Sequence, residues 1–228
     1  MNEKIEVLGT EIDNLSPREA MRCIKDFMNT DALSVVTMIT SGILIEAEQS
    51  SDYRALIERL DLSVIGEKGI LEAAGVENGE RLADIQSNSF CQSLFGYMER
   101  EAKRIVLLAE NESKKQEFLD NMKQQYPSLC MSEAFSLEGM VEDAVINQMN
   151  GVSADVILAA LSSPWQEEFV FRNQQKLGAK LWIGCGKEFP LRKSLELKSG
   201  FLEKLIERML LKKRAAKYQN EKDQGPVE

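Results

Sequence analysis

The sequence predicts an α/β protein: a doubly wound, mostly parallel, Rossmann-like sheet followed by a basic amphipathic helix. Three observations carry this. Short β-branched runs alternate with longer stretches of helical period, the mark of strands joined by crossover helices. The runs 104–109 (RIVLLA) and 154–161 (ADVILAAL) are apolar almost throughout, as parallel strands covered on both faces must be. Phe201 to Tyr218 holds six Lys and Arg against two Glu, in a chain whose formal net charge is -9.

Taken in order, Ile5 to Leu8 is a first short strand. Ser16-Pro17-Arg18-Glu19 opens a helix: Ser16 caps, Pro17 has no N–H to lose in the first turn, and Glu19 completes a capping box. Ser34 to Ile39 is the second strand, with helices over Gly42–Glu48 and Tyr53–Leu60. Leu62 to Ile65 is the third strand, ending in the turn Gly66-Glu67-Lys68-Gly69. A helix over Asn88–Ala102, a strand over Arg104–Ala109 and an exposed, charge-rich helix over Ser113–Gln125 follow. Ser128–Ala134 reads as a strand, Leu137–Met149 as a helix, Ala154–Leu161 as a strand, Trp165–Leu177 as a helix and Ala179–Cys185 as the last strand. No internal repeat is evident. The organisation expected is an α/β domain over 1–190, a helical appendage over 191–218 and a disordered tail over 219–228.

Composition narrows the chemistry. With 228 residues, 43% hydrophobic and 29% charged, the chain is long enough for a sizeable core. There is no histidine, which removes Ser-His-Asp and Cys-His catalysis, a His base and His metal ligands. Acid and base work falls to carboxylates, Lys, Tyr or Cys. The net charge of -9 opposes nucleic-acid binding, which needs a basic face. Cys23, Cys91, Cys130 and Cys185 are far apart, so a zinc site is not expected and they read as small buried hydrophobes. Met1 to Gly9 lacks the apolar core of a signal peptide, and no run of eighteen apolar residues occurs, so a cytoplasmic protein is expected.

Doubly wound sheets bind substrates beyond the carboxyl ends of their strands. That puts Thr37–Ser41, Gly66–Gly69, Ala109–Ser113, Leu161–Gln166 and Gly184–Phe189 on the candidate rim. Ser163-Pro164-Trp165-Gln166-Glu167 follows a strong strand and opens a helix, whose free N–H groups suit an anion such as a diphosphate. Gln166 would bond a sugar or base and Glu167 a sugar hydroxyl; the alternative is an ordinary first turn with a dipole-favoured acid. Gly184-Cys185-Gly186-Lys187 is a glycine turn, weak as a phosphate cradle because it is not G-x-G-x-x-G. Glu67 is either a base for an acceptor hydroxyl or part of a solvated turn. In the terminal helix, Phe201, Leu202, Leu205, Ile206, Met209 and Leu210 form an apolar stripe. Such a helix either packs on the domain or lies in an anionic membrane interface.

The order of these segments resembles the WecB/TagA/CpsF glycosyltransferases (glycosyltransferase family 26), over roughly Ile5 to Tyr218. Val7-Leu8-Gly9-Thr10-Glu11-Ile12-Asp13-Asn14-Leu15 looks like the family opening V-x-G-x-x-[IV]-D-x-[LV]. Val35-Val36-Thr37 looks like its second strand and Glu80-Arg81-Leu82 like its E-R-[VL] stretch. Most specific is Asp155 to Glu167 (DVILAALSSPWQE) with Arg172-Asn173, similar to D-[IL]-[LV]-x-V-[GA]-[LF]-G-x-P-[KR]-Q-E and a downstream R-N. Ile183-Gly184-Cys185-Gly186 is similar to the next strand end.

The resemblance implies a two-lobed fold with a basic C-terminal appendage. It implies transfer of an N-acetylhexosamine, N-acetylmannosamine or similar, from a UDP-sugar to an undecaprenyl-diphosphate-linked sugar, in cell-surface polysaccharide synthesis and without a metal or cofactor. Thr37, Arg81, Gln166, Glu167, Gly184 and Gly186 would face the donor, with Glu67 as a shifted base. Arg208, Lys212, Lys213 and Arg214 would meet the lipid diphosphate. The implied location is the inner face of the cell membrane, held through the basic helix by anionic lipid; homo-oligomerisation is left open. Several family residues differ here. The P-D-G-x-G Asp aligns with Gly66, the T-x-N Asn with Ile39, and R-x-x-G-x-D runs Arg81-Leu82-Ala83-Asp84-Ile85-Gln86. G-G-x-F-D becomes Gly186-Lys187-Glu188-Phe189-Pro190. The alternative is therefore a catalytically inactive member that binds a nucleotide sugar or a partner transferase.

Overall fold

The computed structural model describes residues 3–76, 78–186 and 210–218. Strands β1 (Lys4–Val7) and β2 (Thr10–Asp13) form an antiparallel hairpin. Its two-residue turn, Leu8-Gly9, has φ of 52° and 75°, the left-handed pair that matches strand twist. Six further strands make one parallel sheet: β3 (Ser34–Ile39), β4 (Leu62–Ile65), β5 (Ile105–Ala109), β6 (Met131–Ser136), β7 (Val156–Ala160) and β8 (Leu181–Gly184). Their order is β4-β3-β8-β7-β5-β6. The chain winds outward to one edge through β3 and β4, outward to the other through β5 and β6, then fills the middle with β7 and β8. This is the doubly wound α/β arrangement expected from the sequence.

The helices in chain order are α1 (Pro17–Met28), α2 (Ser41–Gln49), α3 (Ser51–Glu58), α4 (Lys68–Ala73), α5 (Gly79–Gln86), α6 (Ser89–Arg100), α7 (Glu112–Gln125), α8 (Glu142–Gly151) and α9 (Trp165–Asn173). The alternation of side chains along each strand sorts the core into two layers. Val36 and Met38 of β3, with Ile183 of β8, face Ile24, Leu94, Phe95 and Phe118 from α1, α6 and α7. Val35 and Trp182, on the opposite face, meet Ile146, Phe169 and Val170 from α8 and α9. Trp182 stacks on Phe169 with ring centroids 5.8 Å apart. A third cluster joins Val7, Leu8 and Ile12 of the hairpin to Leu44, Tyr53 and Leu71. Leu211 and Ala215, from the helical residues 210–218, are buried in this same cluster.

Local chemistry explains the element starts. Ser16 accepts from the Glu19 N–H at 3.3 Å while Glu19 accepts from the Ser16 N–H at 2.9 Å, the reciprocal cap read from sequence. Asp13 Oδ2 accepts from the Ser63 N–H at 2.9 Å and the Ser63 hydroxyl at 3.0 Å, tying the hairpin to β4. At α9 the structure corrects the expected cap. The Ser163 hydroxyl donates to Glu167 Oε1 at 3.3 Å, and Pro164 takes the capping position with no side-chain bond.

Helices α4 and α5 are absent from the sequence expectation. Neither has an apolar period to reveal it: α4 is six residues long, and α5 has no fully buried side chain. What starts α5 is Asn78, whose Oδ1 accepts from the N–H groups of Glu80 and Arg81 at 3.1 and 3.2 Å. The predicted boundary at 190, the tail 219–228 and Arg208 lie outside the described residues, as does the apolar stripe from Phe201 to Met209; its last expected member, Leu210, is exposed, and Leu211 and Ala215 are the buried positions instead.

Candidate functional site

Two groups of residues converge on the carboxyl ends of the central strands, one on each face of the sheet. On the α9 face, Thr37 of β3 and Gly184 of β8 are partners in the strand register. A Cβ on Gly184 would lie 2.8 Å from Thr37 Oγ1 and would overlap the Gln166 side-chain amide. Gln166 itself is 1% exposed, and both ends of its amide are occupied. Its Oε1 accepts from the Gly186 N–H at 3.0 Å, and its Nε2 donates to Glu167 Oε1 at 2.8 Å. Gln166 thereby fixes the turn that carries Gly186, whose φ of 68° is natural only to glycine. Thr37 Oγ1 is buried and, among the described residues, has no hydrogen-bond partner.

Glu167 is fully buried and is held by three donors. Gln166 and the Ser163 hydroxyl reach Oε1, and the Tyr53 hydroxyl of α3 reaches Oε2 at 3.2 Å. Burial raises its pKa above the ordinary carboxylate value, and the three donors only partly offset that. Burial and the neighbouring Glu167 also push the Tyr53 phenol up. These side chains join β3, β8, α3 and α9 into one polar knot under the strand ends.

On the opposite face a shallow pocket, open to solvent, lies at the strand ends. Its walls are Met38 of β3, Val64 of β4, Leu15 ahead of α1 and Phe90 of α6. Arg81, Asp84 and Asn88 are its polar lining, and Gly66 at the end of β4 also lines it. Arg81 is half-buried and donates to Asn14 Oδ1 at 3.2 Å. Burial lowers its pKa, while Asp84, Glu19 and Glu3 favour its charged form.

Glu67 follows Gly66 in the chain. Its Oε2 accepts from the Ser41 hydroxyl at 2.5 Å and the Ser41 N–H at 3.2 Å, across the N-terminus of α2. The basic residues of the terminal helix lie elsewhere. Lys212 pairs with Glu72 of α4 at 2.6 Å and Arg214 with Glu48 of α2 at 2.7 Å, while Lys213 is exposed. The structure thus brings Thr37, Gln166, Glu167, Gly184 and Gly186 together, sets Arg81 across the sheet, and puts Glu67 at the edge between them.

The sequence pattern described as the glycosyl transferase WecG/TagA/CpsF family matches residues 5–191. The chain belongs to that family. It is also similar to a Staphylococcus aureus (strain MRSA252) N-acetylglucosaminyldiphosphoundecaprenol N-acetyl-beta-D-mannosaminyltransferase. The two are 19% identical over 188 residues, covering 80% of this chain and 73% of that protein.

Within the WecG/TagA/CpsF frame, several motif residues have structural duties here. Asp13 holds Ser63, and Glu80 sits in the first turn of α5, beside Arg81. Asn173 donates to Glu142 and to the Phe169 carbonyl. Sequence reading missed Tyr53 and Asn88, placed Ser41 on the rim without a role, and met Asp84 only as a departure from the family's R-x-x-G-x-D. Asn78-Gly79-Glu80 was the one signal that could have shown α5, and with it Asp84. Among the described residues no group of three or more Cys, Asp or Glu is placed to hold a metal ion, and no helix is long and apolar enough to cross a membrane.

Proposed function

We propose that this WecG/TagA/CpsF protein transfers an N-acetylhexosamine from a UDP-sugar to an undecaprenyl-diphosphate-linked sugar. The observation that carries this is the strand-end pocket with Arg81 in its lining, in a chain matched to the family from residue 5 to 191. The similar Staphylococcus aureus protein is named for the same class of reaction. A pocket lined by apolar side chains together with an arginine, a carboxylate and an amide suits an acetamido sugar, which carries both polar and apolar surface. The donor diphosphate would lie over the strand ends, with Arg81 as its counter-charge. Gln166, Glu167, Thr37 and Gly184 shape the backbone turn at Gly186 that the diphosphate approaches. Lys213 and Arg208, with Lys212 and Arg214 once released from their glutamates, would face the lipid diphosphate and the anionic inner surface of the membrane. The α/β domain would then close near residue 190, with the appendage as its membrane side.

A second reading is favoured by one observation. The position of the family Asp is Gly66, and the carboxylate of neighbouring Glu67 is engaged by Ser41. A catalytically silent member would bind a nucleotide sugar without turnover. Calorimetric titration with several UDP-sugars, run beside a transfer assay, separates the two. Donor binding with transfer supports the enzyme, and binding without transfer supports the silent binder. No binding overturns both.

A further inference from the structure

The transfer reaction needs a group to take the proton of the acceptor hydroxyl, and Gly66 brings none. A side chain there is also crowded: a Cβ on Gly66 would lie 3.0 Å from the Ile39 carbonyl oxygen. Glu67 is next in the chain, but its Oε2 accepts two hydrogen bonds from Ser41 across the α2 N-terminus, and the pocket wall passes through Gly66 without it. The carboxylate that does line the pocket is Asp84. Asn78 caps α5, and the i, i+3 spacing puts Arg81 and Asp84 on one helix face, toward the same cavity.

We propose that Asp84 is the catalytic base of this protein. The inference rests on the transferase reading given above. Asp84 takes the proton of the acceptor hydroxyl, and the freed oxygen lone pair forms the new bond to the anomeric carbon. The bond from that carbon to the diphosphate oxygen breaks, and its electron pair leaves with the UDP. Arg81, one turn away on the same face, meets the negative charge gathering on the leaving diphosphate. The proton on Asp84 passes to solvent after release.

The test compares wild type, Asp84→Asn, Asp84→Glu and Glu67→Gln. The donor is UDP-N-acetylmannosamine and the acceptor a prenyl-diphosphate-linked N-acetylglucosamine. Donor affinity is read by calorimetry, and kcat is read against pH. The expected result is a loss of about a hundredfold or more in kcat for Asp84→Asn, the usual scale for a general base. Its donor affinity stays within about threefold, the acidic limb of the kcat profile disappears, and Asp84→Glu recovers part of the rate. If Asp84 only orients Arg81, Asp84→Asn weakens donor binding and keeps both kcat and the acidic limb, which overturns the assignment. Loss of the acidic limb in Glu67→Gln instead of Asp84→Asn overturns it too. In both cases wild-type transfer stands, so the transferase reading survives. Wild-type protein that binds donor but transfers nothing, or binds none, overturns the transferase reading and this assignment with it.

Discussion

The side-chain amide of Gln166 occupies the space where a side chain on Gly184 would begin. The two residues are 18 positions apart in sequence and meet because β8 returns beside β7, with α9 packed above. Gly184→Ala therefore forces Gln166 out of its bonds to the Gly186 N–H and to Glu167. The expected cost is about 1–3 kcal/mol, the scale of overpacking in a filled core. Urea unfolding of the variant checks it, and donor binding should weaken in parallel as the turn at Gly186 loosens.

Glu167 gives a pH signature. Its folded pKa is raised above the ordinary 4.5, so the folded state holds this proton more tightly than the unfolded chain. The stability it contributes is complete below the unfolded value and is lost as pH rises through the folded one. Glu167→Gln has nothing to titrate there. Wild type should lose stability relative to Glu167→Gln as pH rises above the ordinary carboxylate value and through the raised folded one. Urea midpoints of both proteins across that range measure it.

Tyr53→Phe removes one donor from Glu167 while keeping the ring in the third core. A loss of about 1–1.5 kcal/mol is expected, since the bond is buried. Because that donor favours the charged carboxylate, its loss should move the Glu167 transition to still higher pH. A double-mutant cycle with Glu167→Gln, followed by urea unfolding, isolates the coupling.

The thiols should separate by burial. Against the expectation of four buried thiols, Cys130 is exposed and Cys23 half-buried, while Cys91 and Cys185 are buried. Burial pushes the Cys91 thiol up to about 12 and raises Cys185 well above its ordinary value. Since the thiolate is the reactive form, a thiol reagent at neutral pH should modify Cys130 first and leave Cys91 and Cys185 intact. In denaturant all four should react, and peptide mapping after a short exposure reads the order.

Leu211 anchors the terminal helix. It is fully buried among hairpin and α2–α4 side chains, so Leu211→Ala should cost about 2–5 kcal/mol of local attachment. Hydrogen exchange over residues 210–218 should accelerate, with β5 and β7 unaffected. The Lys212–Glu72 and Arg214–Glu48 pairs are partly exposed, so raised salt should weaken them and speed the same exchange.

What could be read in advance follows from where the physics is local. β5 and β7 were legible because five consecutive buried residues in each leave no polar phase. The start of α1 was legible because its cap is written within four residues. The hairpin turn was hidden, since Leu8-Gly9 lacks the Asn-Gly or Asp-Gly that usually announces it. Gln166, Glu167 and Gly184 stood out through a motif, but their bonds to one another and to Gly186 became visible only in three dimensions. Tyr53 lies 114 residues from Glu167, and nothing near it in sequence hints at a carboxylate partner. Asp84 was met only as a departure from a family motif, because α5 buries no side chain completely and so has no apolar period to betray its phase.

The third core has a consequence in time. Its members Val7 and Ile12 and its member Leu211 are separated by nearly the whole described chain. Contacts of such sequence separation are the slow ones to form. During synthesis the hairpin has to wait, with Val7, Leu8 and Ile12 lacking part of their cover, until residues 210–218 have left the ribosome. The central sheet can already be assembled by then, so this corner of the molecule is the last to close.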